Sequence, residues 1–252
     1  MASSHPRSEV RAITALNASY DRTRPLISIH VPKCAGTSFR AVLAHWFGKG
    51  LLEHYADEKR GSAPTRHDLT RPRPGPVCIH GHFNHRRGFG TEAYYPQVSQ
   101  FIAIVREPFD LHLSNYFYAR RLIDNGKLFR DGGARDPADF ASIESYLARR
   151  RRSLLPSFFP ASLTPRTAAD HLSERFLYIG VVDDIDYSVG ALASVLGFPN
   201  PGIAHSNAAE RSEAVPEGLR ERFRDENALA YAIYDYAAAT YRSVPAAART
   251  AV

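Results

Sequence analysis

The chain's most constraining feature is the stretch from Leu26 to Phe47, where an apolar run meets a short loop and then an amphipathic segment. Leu26 to Val31 reads as a strand. Pro32-Lys33-Cys34-Ala35-Gly36-Thr37-Ser38 is a loop of small and hydroxyl residues around one lysine. Phe39, Val42, Leu43, Trp46 and Phe47 then fall at i, i+3, i+4, i+7 and i+8, the spacing of a helix with one buried face. A loop that opens a helix offers backbone N–H groups and a positive dipole end to an anion. Lys33 adds a point charge, Gly36 lets the chain approach closely, and Thr37 and Ser38 add hydroxyl donors. The Walker spacing is absent: there is one glycine, and the lysine precedes it by three positions.

Further along, Phe101-Ile102-Ala103-Ile104-Val105 is a continuous apolar run, as in a parallel strand buried on both faces. Val77 to His80 and Phe176 to Val182 are further strands. Helical spacing recurs over Phe109–Ile123, through Phe140, Ile143, Tyr146 and Leu147, through Val189, Leu192, Val195 and Leu196 up to Gly197, and over Asn227–Tyr241. Strands alternating with helices predict a single α/β domain, a central parallel sheet flanked by helices. Ligands should lie beyond the carboxyl ends of its strands. Residues 1–23 read as a polar leader, flexible or partly helical, 24–243 as the domain and 244–252 as a tail. Residues 57–76 read as a basic loop, and 124–137 as a loop rich in Gly and Asp.

Three clusters at predicted strand ends carry chemistry. The first is the Lys33 loop. In the second, Arg106 follows the strand ending at Val105, where a guanidinium can hold a phosphate bidentately. Ser114 stands eight residues later, one or two turns into a helix, and can donate to the same group. The third is His80-Gly81-His82-Phe83-Asn84-His85. Three histidines suggest a metal site or general-base catalysis. The spacing matches no common zinc pattern, whereas histidine's ordinary pKa of about 6.5 suits proton removal near neutral pH. Cys34, beside Lys33 near a helix start, is either a thiol of lowered pKa or simply a small side chain. The run Arg149-Arg150-Arg151-Arg152 reads as a solvated helix end, with binding of an acidic acceptor as the alternative.

The loop His30-Val31-Pro32-Lys33-Cys34-Ala35-Gly36-Thr37-Ser38-Phe39 resembles the 5′-phosphosulfate loop of sulfotransferases that use 3′-phosphoadenosine 5′-phosphosulfate (PAPS). It is close to the form of the Golgi-type and bacterial carbohydrate branch that contains the uronyl 2-O-sulfotransferases. Arg106 with Ser114-Asn115-Tyr116 is similar to that superfamily's 3′-phosphate site, and His80-Gly81-His82-Phe83 to the uronyl enzymes' base motif. The resemblance implies a P-loop-kinase-like fold and sulfuryl transfer to a hydroxyl of a glycan or glycolipid. It assigns Lys33, Cys34, Ala35, Gly36, Thr37, Ser38, Arg106 and Ser114 to the cofactor. His82 becomes the base, Lys33 a catalytic cation and His80 a supporting residue. Tyr178-Ile179-Gly180 resembles the late strand against which the adenine lies. Arg211, just past His205-Ser206-Asn207, would reach the phosphates. No metal is implied.

The 252 residues carry a net charge of +6, which favours an anionic partner. The basic residues are dispersed, without the aromatic-interleaved motif of a nucleic-acid binder. Two cysteines make no disulfide framework and fit a reducing compartment. With no signal peptide and no run of about 18 apolar residues, the expectation is a bacterial, cytoplasmic enzyme. The alternatives are a kinase-like enzyme, which would need a Walker lysine and Mg²⁺ ligands, and a non-catalytic module that binds PAP (the desulfated cofactor) or another polyanion.

Overall fold

The computed structural model describes residues 19–57, 60–126, 137–204 and 215–250. Five strands, β1 (Leu26–His30), β2 (Leu51–His54), β3 (Cys78–Gly81), β4 (Gln100–Val105) and β5 (Phe176–Val181), form one sheet in the order β2-β3-β1-β4-β5. Every pairing is parallel. Helices α1 (Gly36–Phe47), α2 (Thr91–Tyr94), α3 (Pro108–Asp124), α4 (Ile143–Arg149), α5 (Ala168–Arg175), α6 (Ile185–Leu196), α7 (Leu219–Glu226) and α8 (Ala228–Thr240) complete the fold. It is the α/β class expected, with the strand–loop–helix unit on the central strand.

The period-2 alternation of a strand sorts the core into two layers. Ile27, Ile29, Phe101, Ala103 and Val105 pack with Leu172 of α5 and Ile233 of α8. Leu26, Ile102 and Ile104 face the other way, onto Phe39, Leu43 and Trp46 of α1 and Leu192 of α6. A third cluster joins Phe109 and Leu113 of α3 to Tyr146 of α4, Phe223 of α7 and Tyr231 of α8. The strand order turns at β1, so the crevice for a ligand lies past its carboxyl end.

Several expectations need correction. Residues 51–54, left unassigned in sequence, form the edge strand β2. The helix predicted around Phe140 is two pieces, a 3₁₀ turn Pro137–Phe140 and α4, whose start is capped by the Ser142 side chain accepting from Ser145 N–H. Helices α2, α5 and α7 also escaped the apolar spacing. The arginine run is only partly solvated: Arg150 turns inward, its guanidinium 5.0 Å from the Phe140 ring centre and 4.9 Å from that of Tyr146. His205, Ser206, Asn207 and Arg211, and most of the 124–137 loop, lie outside the described residues. Among the described residues no helix is long and apolar enough to cross a membrane.

Candidate active site

The loop between β1 and α1 bends sharply. Lys33 (φ 66°) and Ala35 (φ 56°) are left-handed, with Cys34 between them at negative φ. Non-glycine residues rarely adopt this conformation, which costs about 1–3 kcal/mol each and concentrates at functional sites. Alternating handedness curls successive N–H groups into an anion-binding concavity. Ala35 is also the N-cap of α1 and makes no side-chain cap, so the first turn depends on other partners for its N–H groups. Thr37 is exposed and Ser38 half-buried at that turn.

Lys33 does not extend into water. Its Nζ sits 3.8 Å from the centre of the Tyr118 ring. Burial lowers its pKa, and the nearby Arg121 and Arg106 guanidiniums lower it further. The Arg121 guanidinium in turn lies 5.7 Å from the same ring. Three cations therefore lie in one neighbourhood, a costly arrangement unless anions share it. Arg106 stands just past β4, and Ser114 is half-buried on α3. Ser114, Tyr118 and Arg121 occupy i, i+4 and i+7, one face of α3, and Tyr118 fixes that face toward the loop.

The start of α3 is anchored so that this face stays aimed. Glu107 caps the helix by accepting from Asp110 N–H at 2.7 Å, and Pro108 supplies the first turn. Arg220 donates to Glu107 at 2.6 Å and to Asp110 at 3.0 Å, and the Tyr231 hydroxyl donates to the other Glu107 oxygen. Neighbouring Arg106 is held by this clamp through the backbone.

Cys34 is buried, and burial pushes its thiol up to about 12 against the opposing pull of Arg106. It is thus the small packing residue, not a thiol of lowered pKa.

Beside the loop is a cluster of aromatic rings. His80 is fully buried and its Nδ1 pairs with the Ser28 hydroxyl at 3.0 Å. It stacks on His30, ring centres 5.2 Å apart. His30 also meets His82 at 4.6 Å, and its Nδ1 pairs with the Tyr55 hydroxyl at 2.9 Å. Half-buried His82 is further framed by Tyr55 at 4.8 Å and Phe158 at 5.9 Å. Burial, with the charges of neighbouring histidines, lowers His30 to about 2 and His80 to about 3. Both are neutral near pH 7. Gly36 belongs to this cluster: a Cβ there would come within 1.7 Å of His30 Nε2.

The structure thus brings Lys33, Arg106 and Ser114 to one side of the loop and His82 and His80 to the other. Tyr178 and Gly180 are in the core. The Tyr178 hydroxyl donates to the Tyr241 carbonyl at 2.8 Å, and the space over Gly180 is taken by Ser188 of α6. Sequence reasoning missed His30, Tyr55, Tyr118 and Arg121. For the last two a signal existed, their spacing from Ser114; for Tyr55 there was none. Among the described residues no group of three or more His, Cys, Asp or Glu could hold a metal ion.

No protein-family model matches the chain, and no curated protein does. Among solved structures, the chain is similar to mouse sulfotransferase SULT7A1, crystallised with PAP, with 16% identity and a TM-score of 0.44 over 84% of this chain and 78% of that one.

Proposed function

We propose that the protein is a PAPS-dependent sulfotransferase that modifies a hydroxyl, on a glycan or glycolipid. The observation that carries this reading is the convergence of Lys33, Arg106 and Arg121 at the left-handed loop, next to a histidine cluster at the end of β3. These residues fit a donor with two separate phosphate groups. Lys33 and the N–H groups of residues 35–38 would hold the 5′-phosphosulfate, and Arg106, Ser114 and Arg121 the 3′-phosphate. The donor supplies an activated sulfuryl group.

His82 takes the proton of the acceptor hydroxyl, whose oxygen forms the new bond to sulfur as the bond from sulfur to the 5′-phosphate oxygen breaks. Lys33 and the loop N–H groups stabilise the charge left on that phosphate, without reorganising, because loop strain and Tyr118 already hold them in place. His30 and His80 stay neutral and pack His82 without adding a competing positive charge.

PAP binding tests the reading. A ligand at 100 times its Kd stabilises the native state by about 2.7 kcal/mol, which in a chain of this size raises Tm by roughly 5–10 °C. PAP should do so, while ATP and adenosine 5′-phosphosulfate, which lack the 3′-phosphate, should do so far less. Equal stabilisation by ATP would overturn the assignment.

A further inference from the structure

On another face of α3 there is a cavity of about 480 Å³, in the range of small-ligand sites. His112, Asn115 and Tyr146 line one side, and residues 149–152, four consecutive arginines, the other. None of these residues is used by the reaction above. His112 is 1% exposed, and among the described residues neither ring nitrogen makes a well-formed hydrogen bond, the Arg152 backbone being a weak partner. A buried imidazole left poorly satisfied is unfavourable and calls for an explanation. Burial and the Arg150 charge lower its pKa to about 4, opposed by hydrogen bonding with the Arg152 backbone. His112 is therefore neutral, with one N–H to donate.

The charge of the pocket is equally unbalanced. Asp139 faces Arg149 at 2.9 Å and Arg150 at 3.6 Å, one carboxylate shared by two guanidiniums. Among the described residues, buried Arg150 Nη1 has no hydrogen-bond partner. Arg152 donates to the Glu226 carbonyl at 3.3 Å, and Arg151 is exposed. Among the described residues, Asp139 is the carboxylate that pairs with arginines of this run. A phosphomonoester carries about −1.5 to −2 and three acceptor oxygens, and guanidinium forks match it bidentately.

We infer that this cavity is a second anion site, for the phosphomonoester group of a small ligand, built from His112, Asn115 and the arginines at 149–152. Its ligand is either phosphate carried by the acceptor or a free phosphate compound acting as an effector. The acceptor as source rests on the proposed transfer reaction, whereas phosphate binding in this cavity does not depend on the loop at Lys33.

Inorganic phosphate and a sugar monophosphate serve as probes, titrated against chloride at matched ionic strength. Because the Lys33 loop also attracts phosphate, the background is Lys33→Ala/Arg106→Ala. Phosphate should still bind there. Adding Arg149→Gln/Arg151→Gln should weaken it about tenfold or more, the scale of one lost charge-assisted hydrogen bond. His112→Phe keeps an aromatic ring and removes the N–H; it should weaken binding without lowering the ligand-free melting temperature below that of its parent. Loss of all phosphate binding in the Lys33→Ala/Arg106→Ala background would overturn the site. So would affinities unchanged by the arginine and His112 substitutions. In transfer assays with wild-type protein, a lower KM for a phosphorylated acceptor than for its dephosphorylated form supports the acceptor as source. A rate change caused by inorganic phosphate supports the effector.

Discussion

Lys33 is held half-buried against Tyr118, within the influence of the Arg106 and Arg121 charges, and its proposed work comes when charge collects on the departing phosphate. An interaction that strengthens in the transition state appears in kcat, not only in KM. Lys33→Ala should therefore lower kcat by about 10²–10³, with PAP affinity reduced much less. A large rise in the donor's KM at unchanged kcat would make Lys33 a ground-state anchor. His82→Ala should keep PAP binding and lose about 10²–10⁴ in transfer rate, the usual contribution of a general base. His30→Ala removes a ring that touches both His80 and His82. Its effect should be smaller and come with a looser site. If His30→Ala is the more damaging substitution, the base has been assigned to the wrong ring.

At the scale of elements, Gly36 couples the loop to the histidine cluster, because its missing side chain is filled by His30. Gly36→Ala forces an overlap that the ring, packed among His80, His82 and Tyr55, absorbs poorly. Overpacking of this kind costs about 1–3 kcal/mol. Combining it with His30→Ala removes the clash, so the two losses should be non-additive by about 0.5–3 kcal/mol in a denaturation cycle. Strict additivity would mean that the glycine serves only the bend. The clamp on α3 makes a separate prediction: Arg220→Ala frees Glu107 and Asp110 and should weaken PAP binding, leaving the fold intact, as circular dichroism and titration would report. Much of the site was readable because its parts are contiguous: strand, loop and helix start adjoin in the chain, as do β4 and Arg106. Contacts across the fold were not. Tyr55 follows an edge strand of four residues, too short and too polar at Glu53 and His54 to register as a period. Glu107 looked like a motif letter, and its role as a cap needs Arg220, which lies 113 residues away.

Across the whole molecule, the sheet and helices close over histidines that must stay neutral. His54, His80 and His112 are at most 1% exposed. Burial is the main cause that lowers His80 to about 3 and His54 and His112 to about 4. In the unfolded chain each returns to about 6.5. Between those values the unfolded state binds more protons than the native state, so stability is intact above about pH 6.5 and falls as the pH drops toward 4. Each such histidine contributes on the order of 1 kcal/mol per pH unit within that window. Among the described residues the carboxylates with shifted values, Asp21 and Asp68, are lowered from 3.8 and so titrate below the window of the buried histidines. Urea unfolding across that range should give a steep loss of stability, and His112→Phe, with one titrating ring fewer, a slope shallower by about one proton. A flat profile from pH 7 to 5 would mean that the buried rings are charged in the native state, and the neutral environment proposed around His82 would fall with it.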